Sequence, residues 1–155
     1  MPDHPTPAQT LDRITADALA LRLALRSHDG DHSQALAARI IDAQALAGSC
    51  LGLIRDLASH TPRTTSADLM LLDRVAHIAK AAQDAGAELA AALARAVENQ
   101  RRRADATSKP VVFIGPSPQQ FIESASDLLD RIPALSHAIH RDQLLPPTPR
   151  THQPH

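Results

Sequence analysis

Apolar residues return every three or four positions in four separate stretches of this chain. Leu11, Ile14, Ala18, Leu21 and Leu25 are spaced 3-4-3-4. The same alternation links Leu36, Ile40, Ala43, Ala47, Cys50, Ile54 and Leu57. It links Val75, Ile78, Ala82, Ala85, Leu89, Ala92 and Ala96, and also Phe121, Ala125, Leu128, Ile132, Leu135 and Ile139. An α-helix turns once in about 3.6 residues, so this spacing draws one unbroken apolar stripe along each helix. A half-buried strand would alternate with period two instead. The chain is therefore read as all-α, an antiparallel four-helix bundle.

Start and stop signals bound each stripe. Thr6-Pro7-Ala8-Gln9 combines a capping threonine, proline at the first helical position and glutamine three residues after the cap. This helix runs to about Ser27, where His28-Asp29-Gly30 breaks it. Asp31-His32-Ser33-Gln34 opens the second helix, which reaches about Ser59. The third begins near Ser66 and continues to about Asp105. At 1.5 Å per residue it is roughly 60 Å long, so it overshoots its neighbours. A single glycine, Gly86, is tolerable inside it. Ser117-Pro118-Gln119-Gln120 starts the last helix, where Pro133 cannot donate to the carbonyl of Leu129 and a kink or restart is expected. Residues 7–145 form one domain, between a disordered N-terminus (1–6) and a disordered proline-rich tail (146–155).

Composition narrows the fold further. There is no Trp or Tyr, and the two phenylalanines are Phe113 and Phe121. Sandwiches and barrels draw on aromatic and β-branched residues, and single-strand nucleic-acid binders on stacking aromatics. Both classes are disfavoured. Alanine fills 29 positions, many of them on the stripes. A buried methyl contributes only about 0.8 kcal/mol, against roughly 1.5–3 for a leucine-sized side chain. Leu19 and Leu23 widen the first stripe, while Leu46, Leu53, Leu71 and Leu93 lie off the main seams. A thin core and apolar residues on second faces together lead us to expect a homo-oligomer.

The net charge of -1 gives no global attraction for nucleic acid or an anionic membrane. The single cysteine, Cys50, excludes an intramolecular disulfide. The first residues lack the basic and apolar regions of a signal peptide. The longest uncharged run within a helix, residues 43–54, rises about 18 Å, short of a ~30 Å bilayer core. A cytoplasmic protein with no membrane contact is expected. Arginine supplies 14 of the 16 basic residues. In that bias and its alanine excess the chain resembles small helical proteins of actinobacteria-type bacterial genomes. The likeness rests on composition, carries no motif and implies no activity.

Several strings carry residue types that serve catalysis or metal binding in other proteins. Arg55-Asp56-Leu57-Ala58-Ser59-His60 resembles the R-polar-x-x-x-H signature of HEPN-family ribonucleases, themselves small helical bundles. That resemblance implies Arg55 stabilising phosphorane charge and His60 acting as general acid or base. The expected alternative is two cations decorating a helix C-terminus. Gly48-Ser49-Cys50-Leu51-Gly52 has the form of a cysteine nucleophile elbow, but it sits in mid-helix with Cys50 on the stripe, so an inert core thiol is expected. Asp73 with His77, and His137 with His140, have metal-ligand spacing, yet the Glu-x-x-His sets of carboxylate bundle sites are absent from the sequence. Solvated histidines, and no metal, are expected there. With no GxxxxGK[ST] or GxGxxG string, no nucleotide cofactor is expected.

Two features remain for contact with other molecules. Arg101, Arg102 and Arg103 head a segment, 101–109, with net charge +3. They suit a helix C-terminus, an acidic protein or, with low affinity, nucleic acid. Val111, Val112, Phe113 and Ile114 are four consecutive apolar residues inside a linker. A plug over the bundle end is the expected state, and an edge strand awaiting a partner the alternative. The leading functional reading is a non-enzymatic protein-protein interaction or scaffold protein that binds itself or another protein through these two sets. Nucleic-acid binding through the arginines and HEPN-like ribonuclease chemistry are the alternatives.

Overall fold

The computed structural model describes residues 3–27, 33–59, 65–106, 110, 112–142 and 144–145. It contains four helices: α1 (Pro7–Arg26), α2 (Ser33–Ser59), α3 (Ser66–Asp105) and α4 (Pro118–Arg141). No strand occurs among the described residues.

Local chemistry sets the helix starts. Thr6 caps α1 reciprocally: Gln9 donates its N–H to Thr6 Oγ1 at 3.2 Å, and Thr6 donates its own to Gln9 Oε1 at 3.0 Å. Ser117 and Gln120 repeat the arrangement at α4. Thr65 caps α3 by accepting from the Asp68 N–H. α3 passes through Gly86 without interruption. α4 also continues through Pro133, so the expected restart does not occur. Packing on both sides offsets the missing hydrogen bond, because Ile132 is wholly buried and Ser136 and Ile139 follow it into the core.

The helices pack in a ring, α1 on α2, α2 on α3, α3 on α4 and α4 on α1. Chain direction at the closing pair is antiparallel: Asp12 meets His140 at 3.4 Å near one end, and Arg22 meets Asp130 nearer the other. Arg74 of α3 reaches Asp142, just past α4, at 2.9 Å. The fold is an all-α, antiparallel four-helix bundle.

The first and third stripes are buried as the spacing predicts. Three expectations need correction. Leu19 and Leu23 do not widen the α1 stripe, since they are 45% and 67% exposed. Leu46 and Leu53 are buried within this one chain, because α2 is wedged between α1 and α3 and uses a broad arc, and Leu71 is buried near the start of α3. They therefore supply no second face for self-association. On α4 the seam is Ile122, Ala125, Leu129, Ile132, Ser136 and Ile139, with Phe121, Leu128 and Leu135 only partly buried along its flank. Past α4, Leu145 folds back into the core, and Leu144 donates its N–H to the Ile139 carbonyl. The proline-rich segment 146–155 lies outside the described residues.

α2 is long and apolar enough to cross a membrane by length and composition, with a mean hydropathy of 1.3 over its most apolar window. The 12-residue uncharged run alone understated it. Only 28% of that window is buried in the fold.

Candidate functional site

α3 outlasts the bundle. Ala96 is its last buried residue, and residues 100–106 are exposed. The chain returns along this arm before α4 begins, which brings together the two sets of residues singled out above.

Arg95 Nη1 donates to the Ile114 carbonyl at 2.7 Å. Two turns further out, Arg102 Nη1 donates to the Val112 carbonyl at 3.4 Å. Segment 112–114 therefore runs antiparallel to the arm, with alternate carbonyls held by arginines. Glu98, between them on the same helix face, accepts from Arg102 Nε at 3.1 Å and from Arg101 Nη1 at 3.4 Å. Its carboxylate holds the arginines in place and offsets part of their charge. The Arg103 guanidinium lies 5.2 Å from the centre of the Phe113 ring, within cation-π range. Ala91, Ala94 and Phe121 complete the recess beneath Arg95 and Arg102.

Gly115 ends the segment at φ +93°, a conformation that L side chains rarely adopt. A Cβ there would lie 3.0 Å from Arg95 Nη2. Glycine thus permits both the reversal and the close approach of the guanidinium.

Val112, Phe113 and Ile114 are 69%, 43% and 73% exposed. This overturns the expected plug. The arginines capture the backbone and hold it against the flank of the arm, so the apolar side chains face outward instead of over the bundle end. No strand pairs with the segment among the described residues; the two guanidinium groups take its Val112 and Ile114 carbonyls, which lie on one edge of an extended backbone. Val111 lies outside the described residues. The roles of Arg95, Glu98 and Gly115 were missed. Arg95, Glu98 and Arg102 share one face at intervals of three and four, a signal available in the sequence.

The other candidates stay apart. Arg55 is exposed near the end of α2, and His60 lies outside the described residues. His77 Nδ1 is 2.8 Å from the Asp73 carbonyl oxygen and 3.5 Å from the Asp73 carboxylate. His140 faces Asp12, and His137 is exposed. No group of three or more possible metal ligands occurs among the described residues. Cys50 is fully buried, as its place on the stripe predicted, and burial pushes its thiol up to about 11.

No family model matches the chain, and no curated protein or solved structure matches it.

Proposed function

We propose that this chain is a non-enzymatic cytoplasmic docking protein whose arm binds another protein. The observation that carries this reading is the outward display of Val112, Phe113 and Ile114 on a backbone fixed by Arg95 and Arg102. Apolar side chains in open water cost free energy, and a pinned backbone lowers the entropy lost when a partner covers them. Arg101 and Arg103 border the patch with positive charge, so the complementary surface is apolar with acidic neighbours.

The test is a pull-down with the full chain, followed by sizing of the recovered complex. Capture by wild type, its loss in Val112→Asp/Ile114→Asp, and indifference to nuclease treatment are the expected results. Equal capture by the double variant, or recovery of nucleic acid alone, refutes the reading.

A further inference from the structure

A second surface begins on α3 one turn before the arm recess, Ala90 lining the one and Ala94 the other. A groove of about 440 Å³ runs along the outside of the α2–α3 contact. Of the eleven residues lining it, none is charged and two are polar, Gln44 and Gln83. Of the lining residues Leu51 is 48% exposed, and Ile41, three residues before Gln44 on α2, is 65% exposed. A helix at the surface of a bundle ordinarily turns a charged face to water. α2 carries no charge from residue 43 to 54, although most of its apolar window is unburied.

We infer that this face is the isologous interface of a homodimer, in which the α2–α3 groove of one copy packs against the same groove of a second. The character of its polar groups supports a second copy. A twofold axis sets a patch against itself, so any charge near the axis meets its like. Here that repulsion is absent. Gln44 and Gln83 are carboxamides, which both donate and accept and can therefore pair with their own kind. The lining spans residues 40–51 of α2, about 17 Å of helix, so the groove forms the uncharged centre of the contact and the flanking turns of α2 and α3 form its rim. A membrane is the poorer occupant. Leu46, Cys50, Leu53 and Leu57 on the other side of α2 are already in the bundle core, and insertion would have to strip them from it.

Sedimentation equilibrium of the full chain, up to about 100 µM, tests the inference. Wild type is expected at twice the 16.6 kDa chain mass. Leu51→Glu and Gln44→Lys, both at exposed positions, should each weaken dimerisation at least about a hundredfold with helical circular dichroism unchanged. Leu23→Glu, on the exposed side of α1, should leave the dimer intact. Gln44→Lys decides the matter should Leu51→Glu lose its helicity. A wild-type monomer throughout the range overturns the proposal. So does a dimer that survives both α2 variants, a dimer broken equally by Leu23→Glu, or wild type floating with zwitterionic vesicles as a monomer.

Discussion

Arg95 and Gly115 are packed closely: a Cβ at residue 115 would lie only 3.0 Å from Arg95 Nη2, tighter than ordinary van der Waals contact. Gly115→Ala therefore meets both a positive φ and a close contact. The expected loss is about 1–2 kcal/mol, or roughly 2–4 °C in Tm per kcal/mol. In an Arg95→Ala background the close contact is gone, and the same change should cost less. A double-mutant cycle by thermal unfolding measures the difference, with about 0.5 kcal/mol or more of coupling expected. Strict additivity would refute the close contact between the two residues.

Ile132 is fully buried on α4, whereas Leu23 is two-thirds exposed on α1. Ile132→Ala should cost about 2–5 kcal/mol in urea unfolding, and Leu23→Ala within about 0.5 kcal/mol of nothing. Comparable losses from the two would contradict the side of α1 that faces the core.

That contrast shows what the sequence could and could not convey. Caps at Thr6, Thr65 and Ser117 use side chains within three residues of the helix start, so the beginnings of α1, α3 and α4 were legible. The register of α4 was not. Phe121, Leu128 and Leu135 suit a seam as well as Ile122 and Leu129 do, and buried Ser136 made the true seam look polar. Both halves of the arm site were legible as residue types. Their joining was not, because Arg95 and Ile114 meet only when α3 overshoots and the linker doubles back.

Gly86 lies within α3 with the Ala43 Cβ 3.5 Å from where its own would stand, an ordinary van der Waals distance. Gly86→Ala thus gains helix propensity without a clash. A stabilisation of about 0.5–1 kcal/mol is expected, read as an increase of roughly 2–4 °C per kcal/mol in Tm. A decrease would mean that the two helices lie closer than described.

Cys50 titrates at about 11 in the fold, against 9.0 for an unburied thiol. A raised folded value favours the protonated fold, so this contribution is complete below pH 9 and is lost as pH rises toward 11. Wild type should lose up to about 1.4 kcal/mol more stability per pH unit across that window than Cys50→Ala. Parallel pH profiles of urea unfolding would refute it. At neutral pH the native thiol should resist modification until the chain unfolds.

The nucleic-acid and ribonuclease readings have their own signatures. Arg101, Arg102 and Arg103 supply at most three phosphate contacts, so the logarithm of affinity against the logarithm of salt should fall with a slope no steeper than about -3. Two of the three already face Glu98. We expect no retention on duplex DNA or single-stranded RNA at physiological salt, and no RNA cleavage that His60→Ala abolishes. Cleavage lost in that variant would restore the ribonuclease assignment.

Ala43, Ala82, Ala85, Ala92 and Ala125 admit no solvent at all. Each is already close to the smallest side chain that still supports a helix, so nearly every replacement there is an enlargement. Overpacking a well-filled site costs about 1–3 kcal/mol, because backbone and rotamers must shift to admit it. Sequence drift in such a core is one-directional. Leucines elsewhere can shrink and leave a hole, but an alanine at these positions grows only if two helix axes move apart together. The spacing between helices is thus a property of the whole set of alanines, conserved or lost jointly.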